Sequence, residues 1–387
     1  MNINIKRHSL PIIGAILGDM VGAPYELKGH RIKNVDFPFF NEESTFTDDT
    51  VLTLAIVKWL IEQNTNLCNI VHSIGRDYIN VGFGHSFKNW LRDSNPQPYN
   101  SYGNGSAMRV SAIGVLSSTI TEAMEIAKES AMITHNHPEG IKGAQAIAVA
   151  VFLAYNGFKK HNIKEYIENV FGYNLSRRII DIRDNYSFDA TCEGSVPEAI
   201  ISFLESTSVE EAIRLSVSLG GDADTQASIA GAIAAAYFKE IPYAYIDKVL
   251  SVLSPDLLNI LVHFNNYVIN PVLSSDFIFI AQEDTKLKCY IRYTFALATT
   301  DLTNVFIPKG TKLMVNWDRD NCKGRECKII TNREQIFSMI EEQLRREFAD
   351  VISEHDKFLC NGVCVQLSED DLDSFIIRDP NIDDILS

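Results

Sequence analysis

The chain has 387 residues, 46% of them hydrophobic, which is enough for one large domain or two smaller ones with a substantial core. Its 35 basic and 50 acidic side chains leave a formal charge of −15, which argues against a nucleic-acid surface, because phosphate backbones are met by a basic stripe. A local basic pocket for a small phosphorylated ligand remains compatible with that charge. No apolar run reaches the roughly 18 residues of a transmembrane helix, so no membrane partner is predicted. Seven scattered cysteines, an odd number, suit a reducing compartment and predict a cytoplasmic protein. The spacings of Cys322, Cys327, Cys360 and Cys364 are loose for a four-thiolate zinc site, and reduced thiols in and around strands are expected instead.

In chain order, Met1–His8 carries two basic residues ahead of an apolar stretch. Asp19 interrupts that stretch, which therefore predicts a buried helix and not a signal peptide. Gly14, Gly18 and Gly22 recur every four residues, giving one smooth helix face for close approach of another backbone. Thr47-Asp48-Asp49-Thr50 heads the apolar run Val51–Ile61. Gly103-Asn104-Gly105-Ser106 opens a helix expected to start near Ala107, where close backbone N–H groups and a helix N-terminus favour an anion. Arg109 in its first turn either pairs with phosphate or bridges two helices by binding Asp or Glu. Apolar residues at three- and four-residue spacing predict helices over Thr121–Ile133, Glu139–Tyr155, Val196–Leu204, Val209–Leu219, Asp224–Phe238 and Pro255–Val268. Pro197 is read as part of a first turn. His135 and His137 precede a helix and are not spaced as a helical metal pair, so each serves as a cap or a packed polar group unless a ligand claims it. Tyr186 and Phe188 either stack on a base or belong to the core.

Gly220-Gly221-Asp222-Ala223-Asp224-Thr225 heads the second acidic helix. One acidic residue at a helix start is explained by capping, but two at each of two helices are not. If the two helix starts meet, a like-charge pair at ~4 Å costs roughly 4 kcal/mol at an effective dielectric near 20. Mg²⁺ or Mn²⁺ bound by carboxylate and hydroxyl oxygens would relieve it.

The texture changes near Asn270-Pro271. Phe277–Ala281, Lys286–Ala298 and Leu313–Trp317 read as strands, with a turn at Pro308-Lys309-Gly310. Asn332–Glu354 reads as an amphipathic helix, and Phe358–Leu367 as a hairpin around Asn361-Gly362. The expected organisation is an all-α domain over residues 1–270, a small α+β C-terminal appendage over 271–367, and an acidic, flexible tail over 368–387.

Six blocks then bear on kinship: Gly14-Ala15-Ile16-Leu17-Gly18-Asp19 with Gly22 and Glu26; Thr47–Thr50; Gly103–Arg109; Thr134–Pro138; Cys192–Ala199; and Ser218–Thr225. In this order they resemble the ADP-ribosylglycohydrolases, the group that includes dinitrogenase-reductase-activating glycohydrolase and the ADP-ribosylhydrolases. The resemblance runs from about Ile12 to about Tyr267 and does not touch the remainder. It implies an all-α ADP-ribosylglycohydrolase-like helical domain and two divalent ions, Mg²⁺ or Mn²⁺, held by Thr47, Asp48, Asp49, Asp222, Asp224 and Thr225. It implies catalytic roles for Glu26, Asp49 and Asp222, with Glu26 activating water or polarising the ribose beside a mobile loop over Leu27–Phe46. Gly103, Asn104, Gly105, Ser106, Met108, His135 and Tyr186 are the implied substrate contacts. The implied reaction is removal of ADP-ribose from a modified protein side chain, arginine N-linkage first, with ADP-ribose as product and the enzyme acting as a monomer. Serine-linked ADP-ribose, poly-ADP-ribose, O-acetyl-ADP-ribose and a catalytically inactive ADP-ribose-binding scaffold are the alternatives. Cys192 is not expected to be a nucleophile, since no base is evident beside it.

Overall fold

The glycine-lined face of the first helix packs backbone against backbone. A Cβ at Gly14, Gly18 or Gly22 would lie 2.3, 2.0 or 2.3 Å from the carbonyl oxygens of Gly231, Ala227 and Ala223. Two backbones therefore touch along about two turns, from Gly14 to Gly22, which only glycine against alanine and glycine permits.

The computed structural model describes residues 5–27, 29–62 and 66–267, and beyond them the backbone of seven strands. The first stretch is helical. α1 (Leu10–Glu26), α2 (Asp48–Ile61), α3 (Leu67–Asp77), α4 (His85–Arg92) and α5 (Ser111–Leu116) come first. α6 (Ile120–Met132), α7 (Pro138–Tyr155), α8 (Lys160–Phe171) and α9 (Ile179–Ile182) follow. α10 (Cys192–Glu205), α11 (Val209–Val217), α12 (Ala223–Phe238), α13 (Tyr243–Val252) and α14 (Pro255–Asn266) complete it. α12 is the hub: it packs on α1, α7, α10 and α11, and every residue from Ala223 to Ala236 is buried. A helix apolar on all sides belongs at the centre of a bundle. Its alanines let four neighbours come close. Among the described residues, no helix is long and apolar enough to cross a membrane.

Helix starts follow local chemistry. Thr119 Oγ1 accepts from Glu122 N at 2.9 Å, Ser208 Oγ from Glu211 N at 3.1 Å, and His137 Nδ1 from Glu139 N at 3.1 Å. Two starts differ from the periodicity. α10 begins at Cys192 because Thr191 Oγ1 caps it, accepting from Gly194 N at 3.0 Å, so Pro197 lies inside the helix and not in its first turn. No α-helix starts near Ala107. Asn104–Ser106 form a 3₁₀ turn, and α5 begins at Ser111.

Contacts divide the chain into units Met1–Ile269 and Asn270–Ser387. In the second unit β1 (Ile278–Ala281), β2 (Thr285–Arg292), β3 (Thr299–Ile307), β4 (Lys312–Asp318), β5 (Arg325–Ile329), β6 (Val363–Leu367) and β7 (Phe375–Arg378) form one antiparallel sheet. Its order is β3-β2-β6-β5-β4-β1-β7. β6 pairs with β2 and β5, with Cys289 and Cys327 both in register with Val365. The expected helix over Asn332–Glu354 and the turns at Pro308–Gly310 and Asn361-Gly362 lie outside the described residues. β7 falls within the segment read as an acidic tail.

Candidate metal centre and cleft

Both acidic helix starts arrive at one place. Thr225 Oγ1 donates to Asp49 Oδ2 at 3.1 Å, so the N-termini of α2 and α12 meet directly across 176 residues of chain. Oxygens of Asp19, Asp49 and Asp224 lie within 4.8 Å of one another, as do those of Glu26, Asp222 and Asp224. α1 contributes Asp19 from its middle and Glu26 from its last turn.

Capping does not account for these carboxylates. Thr47 caps α2 with its own hydroxyl, and Asp222, the cap residue of α12, makes no side-chain cap bond. Asp222 Oδ2 instead accepts from Asn104 Nδ2 at 2.7 Å, while the same amide reaches Ser195 Oγ at 3.1 Å. Asp49 Oδ1 is buried without a hydrogen-bond partner. Burial, then the neighbouring charges of Asp19, Asp222 and Glu26, push Asp48 up to about 8. Asp49 and Asp224 are raised well above the carboxylate range, first by burial and then by the aspartates around them. Glu26 is raised by burial and by Asp222, with Arg31 drawing it partly back. Clustered, buried and mutually repelling hard oxygens, one of them orphaned, fit a divalent cation.

Asp19 was not singled out by its residue type, yet it organises the start of α2. Its Oδ2 accepts from Thr47 N at 2.9 Å, Thr50 N at 3.1 Å and Thr50 Oγ1 at 2.5 Å, and its Oδ1 from Thr47 Oγ1 at 2.7 Å. A charge in the midst of an apolar helix requires such partners, and that is the signal that would have found it.

The centre opens into a cleft of about 640 Å³. Glu26, Asp48, Asp49, Asp222, Asp224 and Thr225 line it, with Gly103, Asn104, Gly105, Met108 and His135. Thr47, Ser106 and Tyr186 do not line it. Thr47 is turned to Asp19, and Ser106 Oγ donates to Gly140 O at 2.7 Å. Tyr186 packs beneath Gly221, donating to Gly194 O at 2.6 Å and accepting from Gln226 Nε2 at 2.9 Å. Its neighbour Phe188 lines the cleft. The cleft also recruits Gly82, Gly84, His85, Tyr99 and Tyr102, for which no sequence pattern stood out. Gly82 has φ +128°, and a Cβ there would lie 2.7 Å from Asp48 Oδ1, so glycine is required on both counts.

Arg109 neither lines the cleft nor bridges two helices through an acidic side chain: it lies in the turn before α5 and ties that turn to the end of α6 and the residues after it. It is fully buried, and Nη2 donates to Ser130 O at 2.6 Å and Thr134 Oγ1 at 3.2 Å. Cys192 donates to Gly103 O, and burial pushes its thiol up to about 12, so it holds no thiolate. The loop after Glu26 is pinned by Lys33, whose Nζ donates to the carbonyls of Arg183, Tyr186 and Leu219 at 2.7, 2.5 and 2.6 Å.

Comparison with known proteins agrees with this geometry. Residues 11–266 match the ADP-ribosylglycohydrolase family. ADP-ribosylhydrolase ARH3 of Mus musculus is 27% identical over 325 residues, covering 62% of this chain and 87% of its own. ARH3 of Homo sapiens is 28% identical over 313 residues, covering 61% and 86%. ADP-ribosylarginine hydrolase Tri1 of Pseudomonas putida (strain GB-1) is 23% identical over 281 residues, covering 63% and 74%. A solved ADP-ribosylglycohydrolase-related protein complex shares the fold, with a TM-score of 0.50 at 20% identity over 70% of this chain and 100% of that one. With two thirds of its length matched and the acidic helix starts assembled in one cleft, the chain belongs to the ADP-ribosylglycohydrolase family.

Proposed function

We propose that the chain is a metal-dependent hydrolase that removes ADP-ribose from a modified protein side chain. One observation carries this reading: carboxylates from α1, α2 and α12 converge, buried and repelling, at the base of a cleft whose wall is the Gly103–Gly105 loop. Asp48, Asp49, Asp222, Asp224 and Thr225 would hold two Mg²⁺ or Mn²⁺ ions, with Thr47, its hydroxyl given to Asp19, setting the start of α2 behind them. Such ions, when bound, neutralise the carboxylates, orient vicinal ribose hydroxyls and acidify water.

The chain's own residues do the rest. Asn104 fixes the rotamer of Asp222 through its amide. Asp19 fixes Thr47 and Thr50, and with them the first turn of α2. Gly103 and Gly105 leave room for a diphosphate to approach the backbone. Glu26, raised by burial and by Asp222, is the base that takes the proton of the attacking water. Carboxylate charge nearby favours the oxocarbenium-like transition state as the glycosidic bond breaks.

For the acceptor, the arginine N-linkage draws support from the likeness to Tri1. A serine O-linkage is the second reading, and a pair of modified peptides separates the two. The test is release of free ADP-ribose from arginine- and serine-ADP-ribosylated peptides, with Mg²⁺, with Mn²⁺ and with EDTA. Cation-dependent release from one peptide fixes class and linkage together. Binding of ADP-ribose with no release from either peptide would point to the inactive scaffold.

A further inference from the structure

Three side chains behind the glycine loop form a directional chain of hydrogen bonds. Arg109 Nη2 donates to Thr134 Oγ1 at 3.2 Å, and Thr134 Oγ1 lies 2.7 Å from His135 Nδ1. A guanidinium has no acceptor, so the hydroxyl must accept from it. The hydroxyl then has one proton to give, and the acceptor in reach is Nδ1. An imidazole that accepts at Nδ1 carries its proton on Nε2.

The other edge of the ring is the one that meets the cleft. His135 lines it, and Nε2 lies 3.2 and 3.7 Å from where Cβ atoms would stand at Gly105 and Gly103. Among the described residues Nε2 has no hydrogen-bond partner. A second protonation is disfavoured too: burial, and then the Arg109 charge, hold His135 well below the usual histidine range. Arg109 itself, lowered by burial to about 10, stays charged at neutral pH, with Nε and Nη1 buried and unpartnered.

We infer that Arg109, acting through the Thr134 hydroxyl, fixes His135 as the neutral imidazole with its proton on Nε2, and so presents a hydrogen-bond donor beside the glycine loop to an anionic or hydroxyl oxygen of the ligand. Arg109 and Thr134 are thus positioning residues that never touch the ligand. The identity of that ligand as ADP-ribose rests on the proposed function; the protonation pattern of the ring does not.

The experiment is a two-bond ¹H–¹⁵N spectrum of the full chain labelled with ¹⁵N-histidine, with the His135 signals assigned by loss in His135→Asn. The expected spectrum at pH 7 shows a protonated Nε2 and a bare Nδ1. Thr134→Ser keeps this pattern, and Thr134→Val, which offers no hydroxyl, gives a mixture of tautomers. In calorimetry, ADP-ribose binds Thr134→Val about tenfold more weakly, the scale of one hydrogen bond to a charged group, and Thr134→Ser within about threefold of the parent. Mn²⁺ affinity is the same in all three. A proton on Nδ1, or an imidazolium, in the unmodified protein overturns the inference, whether or not the variants fold. So does a Thr134→Val protein with unchanged spectrum and affinity. An Nε2 proton in a protein that ignores ADP-ribose would leave the hydrogen-bond chain standing and defeat the ligand assignment instead.

Discussion

Asp48 shows most plainly how the site is held under tension. In an unfolded chain its carboxyl ionises near 3.8, and in the folded protein burial and neighbouring charge move it to about 8. A group raised on folding stabilises the native state at low pH and withdraws that contribution as pH climbs through the folded value. The metal-free protein should therefore lose melting temperature between about pH 4 and about pH 8, and saturating Mg²⁺ or Mn²⁺ should flatten the decline. Melting curves in EDTA and in Mn²⁺ across this range are the check, and a flat EDTA profile would contradict the repulsion. Asp48→Asn should melt about 2–4 °C higher than the parent in EDTA at pH 8, which corresponds to about 1 kcal/mol, while losing the gain from Mn²⁺. The acidic pattern announced this behaviour, since two aspartates per helix start exceed what capping needs. Asp19 escaped notice because it reads as a mere interruption of an apolar helix. Tyr186 drew notice through its aromatic ring, although its hydroxyl is spent on Gly194 and Gln226.

At the scale of elements, the glycine seam ties α1 to α12 and thereby Asp19 and Glu26 to Asp222 and Asp224. A Cβ at Gly18 would sit 2.0 Å from the Ala227 carbonyl oxygen, a backbone atom that cannot rotate away. Gly18→Ala should cost at least about 1–3 kcal/mol in chemical denaturation. It should also weaken Mn²⁺ binding, because the seam sets the spacing of the ligands. Unchanged stability in that variant would mean that the two helices part easily. The seam was legible from spacing alone, as were the long apolar helices such as α7 and α12, whose burial leaves little ambiguity. α3, α4, α8 and α13 were not. They bury few residues on one side; Asn66 Oδ1 caps α3 by accepting from Asn69 N, while α4, α8 and α13 start with no side-chain cap to mark them. The turn at Asn104–Ser106 resembles a helix start in sequence because glycine-rich entry looks alike in both, and the Asn104 side chain is drawn off to Asp222.

For the whole molecule, the family match ends at residue 266 and the first unit at Ile269. Every residue of the proposed centre lies before that point. A chain ending at residue 269 should keep cation-dependent release of ADP-ribose from small peptides. If it fails only on a modified protein target, the sheet-bearing unit supplies target recognition; equal rates on both would remove that role. The direct meeting of α2 and α12 also governs the order of events in folding. Asp49 and Thr225 are 176 residues apart, and the ligands they belong to are scattered until α1, α2 and α12 have docked. Contacts of such long range form late. A cation therefore has nothing to grip in the early chain and acts as a lock on the finished one, leaving the refolding rate nearly unchanged and lengthening the lifetime of the native state.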